Sequence, residues 1–335
     1  MAIRKKAIIA LSGGMDSAVA AILLKRQGFV LKGVFLKLFN NLYFKESEKK
    51  AREIASILEI PLFVLDLRKE FEKKVIKEFV KEHRMGKTPN PCVICNKEIK
   101  FGLLPKRMKT DYLATGHYAK LCKDCILKAK DKDQSYFLWS LSQKQLNNVL
   151  FPIGDYSKKE VKKIAKKYGI FEIVKKESQE ICFTNNVNHF LMKKIGLQPG
   201  KIINKAGKII ATHKGLYFYT IGQRKGIKLS SGPYYVLGKD LKKNLLIVGK
   251  NQKDLLQKEA DIENINWISS KKPKLPLKVM VKARYGQKAF PATVYCSQKK
   301  CKLVFKSSQR AITPGQSAVL YKRNKLLGGG IISLT

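Results

Sequence analysis

Acidic residues are scarce: 25 Asp and Glu stand against 68 Lys and Arg, a formal net charge of +43 over 335 residues. A field of that sign concentrates polyanions, and in a cell the obvious polyanion is nucleic acid. The excess is mostly lysine spread along the whole chain, as AT-rich codon usage would also produce. Charge therefore supports a nucleic-acid partner without deciding it. Long apolar runs are absent too. None approaches the ~18–20 residues a bilayer span requires, so no membrane role is expected. The 44% hydrophobic content is still ample for ordinary cores. Met1–Lys6 leads directly into an apolar strand and a glycine loop, which a cleaved signal peptide would remove, so a cytoplasmic location is expected. Internal repeats and low-complexity tracts are missing. The seven cysteines are odd in number and expected in a reducing compartment, so structural disulfides are not expected.

Strand and helix patterns alternate in the first third. Ala7–Leu11, Val30–Leu36, Leu62–Leu67 and Tyr112–Thr115 read as strands. Asp16–Gln27, Glu46–Leu58 and Glu70–Met85 read as helices. Such alternation predicts an α/β fold, a doubly wound parallel sheet with helices on both faces. After about residue 196 glycine and proline become frequent and the segments short: Gly200–Ile203, Leu216–Tyr219, Tyr234–Leu237 and Leu245–Gly249. Beyond Pro273 and Pro276 five or six strand patterns follow, a number that suits a small closed barrel. The expected units are 1–196 (catalytic), 197–260 (small and β-rich) and 261–335 (C-terminal β-barrel).

Ser12-Gly13-Gly14-Met15-Asp16-Ser17 follows a strand and opens a helix. Glycines allow a tight turn, the helix N-terminus offers free N–H groups, and the serine hydroxyls add donors; together they suit a phosphate. The Walker lysine is missing and the dinucleotide fingerprint does not fit. The loop resembles SGGxDS of the ATP pyrophosphatase superfamily, whose members cleave ATP between the α- and β-phosphates and activate a carbonyl oxygen as an adenylate.

Thr88-Pro89-Asn90-Pro91-Cys92-Val93-Ile94-Cys95 precedes Asn96–Phe101, with a helix predicted to begin near Lys97. Cys95 would then lie at a helix N-terminus amid Lys97 and Lys100, which favours its thiolate. Together with Gly116–Ala119, Lys132–Leu138, Glu177–Phe183, Thr220–Gly226, Ala283–Tyr285 and Pro314–Tyr321, this segment resembles the bacterial tRNA-specific 2-thiouridylases, in family order from residue 7 to about 321.

The resemblance implies an ATP-dependent enzyme that replaces the C2 oxygen of the wobble uridine in the tRNA anticodon stem-loop by sulfur. The expected acceptors are tRNAs for Lys, Glu and Gln. It assigns Cys182 as the persulfide carrier and Cys95 as its partner, closing a transient disulfide. Ala10, Leu11, Ser12, Gly13, Gly14, Met15, Asp16, Ser17, Leu36 and Gly116 would contact ATP, with Asp16 near Mg2+. Asn90, Pro91 and Cys92 would surround the target base. His117, Lys132, Asp133, Gln134, Arg284, Tyr285 and Gln316 would touch tRNA. A sulfur donor is implied, such as a cysteine desulfurase or a sulfur-relay protein.

One departure matters. Many relatives carry Asp where this chain has Cys92, a candidate general base that a thiol cannot simply replace. Cys92, Cys95 and Cys182 could instead hold a four-iron four-sulfur cluster whose open iron binds hydrosulfide. Both sulfur routes stay open at this point. A non-catalytic RNA-binding protein that kept the fold is a third reading, which the intact glycine loop argues against. Cys122-Lys123-Asp124-Cys125 matches nothing in the family and reads as a hairpin with Lys-Asp at its tip. Cys296 and Cys301 flank a polar turn in the expected barrel.

Overall fold

A computed structural model describes residues 5–174, 181–227, 229, 232–297 and 300–333. Glu177, Ser178, Gln179 and Glu180 of the second cysteine motif lie outside the described residues.

The first unit contains β1 (Lys6–Ala10), α1 (Met15–Arg26), β2 (Val30–Lys37), α2 (Leu42–Ile57) and β3 (Leu62–Asp66). A long helix follows as α3 (Arg68–Phe71), a π-turn stretch (Glu72–Ile76) and α4 (Lys77–Arg84). A second helix of the same build runs through α5 (Pro91–Cys95), a π segment (Asn96–Leu103) and α6 (Leu104–Arg107). Then come β4 (Tyr112–Ala114), a hairpin of β5 (Ala119–Cys122) and β6 (Cys125–Lys128), α7 (Gln143–Leu146), β7 (Val149–Leu150), α8 (Lys158–Lys167) and α9 (Val187–Ile195). The sheet order is β3-β2-β1-β4-β7, all parallel. β1 is apolar at consecutive positions because helices cover both faces, as parallel sheets require. The short β7 is a fifth strand that the sequence pattern did not disclose. α1 is buried from Ser17 to Leu24, wedged between the sheet and α8.

The second unit is a four-stranded sheet of β8 (Gly200–Asn204), β9 (Ile209–His213), β10 (Tyr235–Asp240) and β11 (Leu245–Gly249), in the order β10-β11-β8-β9. Leu216–Phe218 forms a 3-10 turn. The third unit has six strands: β12 (Leu256–Trp267), β13 (Leu277–Lys282), β14 (Phe290–Ser297), β15 (Lys300–Arg310), β16 (Ser317–Lys322) and β17 (Lys325–Ile332). Pairing of β12 with both β15 and β17 closes the barrel. Outside the closed ring, β6 adds to the free stretch of β17, Leu127 facing Lys325 and Ile126 facing Leu326. A hairpin of the first unit thus continues a sheet of the third. The first unit's core likewise runs on into barrel residues Val319, Tyr321 and Leu326.

Two expectations are corrected here. Cys122 pairs with Cys125 across the β5–β6 turn, and Cys296 with Cys301 across the β14–β15 turn, both as disulfides. The reason is register: each pair sits directly opposite in an antiparallel ladder, with Cα atoms 5.0 and 4.0 Å apart. The second correction concerns the cysteine helix. It begins at Pro91, not near Lys97, because Asn90 caps it and proline is favourable at the first helical position.

Candidate active site

The glycine loop lies where the chain reverses direction across the sheet, between β1 and its neighbours β2 and β4, the position at which open α/β sheets bind ligands. Gly13 adopts φ +73°, and a Cβ there would stand 2.3 Å from the Ser47 carbonyl oxygen. Ser17 Oγ folds the loop back on itself, accepting from the Ser12 amide at 3.2 Å and donating to the Gly14 carbonyl at 2.9 Å. The helix cap is Gly14, which offers no side chain to the first amides of α1. Those amides remain donors for an anion. Gly116, just past β4, packs on the backbone of Asp16 and Ser17 with no room for a Cβ. Leu36 is buried on β2.

Asp16 gathers partners from distant segments. Its Oδ1 accepts from Tyr118 Oη at 2.9 Å and from Lys158 Nζ at 2.6 Å, and Lys132 Nζ lies 3.8 Å from Oδ2. Tyr118 is fully buried, and burial followed by the neighbouring Asp16 charge raises its phenol pKa. Lys158 is the first residue of α8, whose start is fixed by a reciprocal Ser157–Glu160 capping box. Hydrogen bonds from Ser157 hold the Glu160 carboxyl down to about 2. Lys158 therefore brings a cation to the loop that lacks the Walker lysine. The sequence carried the signal for the cap but none for where the lysine would point.

The thiols form a second cluster. Asn90 Oδ1 accepts from the Cys92 amide at 3.1 Å and holds the start of α5. Cys92 is half-buried and Cys95 buried, and both are free. Cys182 is also free, anchored by its neighbour Phe183, whose ring packs 5.4 Å from Phe79 and 5.0 Å from Phe190. Asn41, the cap of α2, brings its amide nitrogen to 3.5 Å from the carbonyls of Cys182 and Phe183. The three thiols sense one another. Burial first, then Cys95 and Cys92, push Cys182 strongly upward, against Lys100. Burial pushes Cys95 up to about 11, with Lys100 opposing. Burial likewise raises Cys92. The expected thiolate-favouring site at Cys95 is thus corrected: the residue ends α5 instead of opening a helix, and desolvation outweighs the nearby lysine. Burial first, then the neighbouring Cys182, raises the Tyr43 phenol pKa. Among the described residues no group of three His, Cys, Asp or Glu side chains stands at a spacing that could hold a metal ion. The three cysteines as arranged do not fit a metal-holding group.

A cavity of about 280 Å³ is lined by Phe79, His83, Thr88, Ile181 and Tyr217 among others, including chain neighbours of the thiol segments but not the thiols themselves. The residues expected at tRNA face differently from one another. His117 turns inward, Nδ1 lying 2.8 Å from Thr115 Oγ1, and burial with Lys100 keeps its ring neutral. Asp133 accepts from the amides of Ala129 and Ser135, and Gln134 Oε1 from the amide of Tyr118. Arg284 donates to the carbonyls of Ile221 and Ala311 and to Thr313 Oγ1. Gln316 Nε2 donates to the Thr88 carbonyl at 2.6 Å. Tyr285 stacks 4.5 Å from Phe137 with 36% of its surface exposed.

A pyrophosphate-type loop on a parallel α/β sheet, followed by two β-rich units, defines the class as an ATP pyrophosphatase with appended domains. Three family models tile the chain: a tRNA methyl transferase HUP domain over residues 5–186, a tRNA methyl transferase PRC-barrel domain over 188–250, and an aminomethyltransferase beta-barrel domain over 257–332. The tRNA-specific 2-thiouridylase MnmA of Clostridioides difficile (strain 630) is 42% identical, covering 99% of each chain. That of Halothermothrix orenii is 41% identical, covering 98% of each. The chain belongs to the tRNA-specific 2-thiouridylases. Among solved structures, a 4-thiouridine synthetase–RNA complex with bound ATP is 19% identical with a TM-score of 0.35, covering 57% of this chain and 50% of that one. Among the described residues no helix is long and apolar enough to cross a membrane.

Proposed function

We propose that this chain catalyses ATP-dependent 2-thiolation of the wobble uridine of tRNA, using Cys182 and Cys95 for sulfur delivery. What supports the reading is the full-length likeness to tRNA-specific 2-thiouridylases together with three free cysteines, Cys92 and Cys95 on α5 and Cys182 far along the chain. The amides of α1 and the Lys158 ammonium would hold the triphosphate, and Asp16 would hold its Mg2+. The flipped uridine would enter beside Asn90, Pro91 and Cys92. Its C2 oxygen attacks the α-phosphorus and pyrophosphate leaves. The terminal sulfur of a Cys182 persulfide then attacks C2 and AMP leaves. The Cys95 thiolate attacks Cys182 Sγ, breaking the persulfide bond. The sulfur stays on the base, a Cys95–Cys182 disulfide remains, and a reductant reopens it. The sulfur that loads Cys182 would come from a desulfurase or relay protein, and the tRNA would meet the basic surface that includes Lys132 and Tyr285.

The second sulfur route open to the sequence, hydrosulfide carried on a four-iron four-sulfur cluster held by Cys92, Cys95 and Cys182, is disfavoured by the arrangement of those thiols. A pyrophosphate-release assay with tRNA tests the main reading: AMP and pyrophosphate should appear only with substrate tRNA, and Asp16→Ala should abolish turnover. ADP as product would refute it. Cys92→Ala separates the sulfur routes. Retained thiolation from a persulfide donor, by enzyme prepared without oxygen, supports the Cys182–Cys95 exchange; loss of activity together with bound iron supports the cluster.

A further inference from the structure

The segment that carries the thiol helix is held from outside its own unit. The Thr88 amide donates to the Pro314 carbonyl at 2.8 Å, and the Thr88 carbonyl accepts from Gln316 Nε2 at 2.6 Å. Both backbone groups of one residue are therefore engaged by the barrel. The Thr88 hydroxyl lies 3.3 Å from that of Thr220 in the second unit. The barrel turn is itself fixed, since the Gly315 amide donates to the Ile332 carbonyl at 2.8 Å and the Ile332 amide to the Gln316 carbonyl at 2.9 Å. From Thr88 the chain runs through Pro89, Asn90 and Pro91 into α5. Both prolines have locked φ angles, and Asn90 is tied to the Cys92 amide. Few free dihedrals separate Thr88 from the thiols, so a shift at Thr88 passes to Cys92 and Cys95 instead of dissipating in a loop.

We propose that Gln316 is a positioning residue for sulfur transfer, acting through the Thr88 carbonyl to set the place of α5, with Thr220 as its second support. The proposal rests on the reading that Cys95 takes part in the reaction. It gives the Gln316 amide donor a use within the protein itself, and it makes the barrel part of the catalytic geometry.

Gln316→Met and Gln316→Glu keep the side chain's length and remove the donor; Thr220→Val removes the hydroxyl at constant shape. Thiolation kcat, tRNA Kd and amide hydrogen exchange over residues 88–95 are measured for each full-length variant. The expected result is a fall in kcat of about tenfold or more for both Gln316 variants. It should come with tRNA Kd within about twofold of wild type, faster exchange at Thr88 and along α5, and unchanged exchange in β1. Thr220→Val should show the same pattern with smaller amplitude. A weakened tRNA Kd with unchanged kcat and unchanged exchange would overturn the proposal and make Gln316 an RNA contact. Exchange rising across the whole barrel would also overturn it, as a general loss of stability. Cys95→Ala serves as the separate control: if it still thiolates tRNA, the sulfur-transfer reading fails, while the exchange data still report whether Gln316 holds α5.

Discussion

At the scale of single residues, the proposed thiol chemistry would be limited by protons. Burial pushes Cys95 up to about 11, so near neutrality only a small fraction is thiolate. Below its pKa that fraction grows about tenfold per pH unit. Single-turnover thiolation by persulfide-loaded enzyme should therefore accelerate by roughly that factor per unit between pH 7 and 9; a flat profile would remove Cys95 as the rate-setting thiol. Lys158 supports a second expectation. Its ammonium sits 2.6 Å from Asp16 at the mouth of the glycine loop. Losing such a charged contact to a phosphate should raise the KM for ATP roughly tenfold or more in Lys158→Ala, with Lys158→Arg recovering most of it. Pyrophosphate release against ATP concentration measures both. The motif residues of this site could be read in sequence because loop, cap and thiols are local patterns. Lys158 could not, because its role depends on how α8 packs against α1. The state of Cys95 was misread because neighbouring lysines are visible in a sequence and depth of burial is not.

At the scale of elements, the strand and helix periods disclosed the parallel sheet, and the six barrel strands came through as five or six. The exceptions have physical causes. β7 is only two residues long, too short to show a period, and Leu216–Phe218 is apolar yet folds as a 3-10 turn under the second unit's sheet. The junction between that sheet and α4 could not be foreseen. Lys239 on β10 is half-buried there and donates to the Gly86 carbonyl at 2.8 Å, just beyond the end of α4. Desolvation lowers its pKa to about 8. An unfolded lysine titrates near 10.4, so between about pH 8 and 10.4 the unfolded chain binds more protons and stability rises with pH. Below about 8 the full desolvation cost remains. Thermal midpoints of wild type and Lys239→Met should accordingly shift relative to each other between pH 8 and 10, the wild type gaining on the variant; a constant difference would mean that Lys239 keeps its ordinary pKa in the fold.

At the scale of the whole molecule, the +43 charge acquires a test once tRNA is the expected substrate. If the lysines neutralise phosphates, log Kd should rise with log salt by about 0.7–0.9 per phosphate contact. Filter binding from 50 to 200 mM salt measures the slope, and salt-insensitive binding would assign the charge to codon usage. Composition could raise this question but not answer it, because a net charge carries no information about where the charges sit. The hairpin that joins the first unit to the barrel has a consequence for synthesis. Residues 119–128 leave the ribosome about two hundred residues before Lys325 and Leu326, the partners of Leu127 and Ile126. For that interval β6 presents an unpaired edge, the kind of surface that recruits other chains. Premature termination anywhere before β17 would leave the edge permanently open, so nascent fragments of this protein should aggregate or depend on chaperones, and the final strand is what makes the finished chain safe to release.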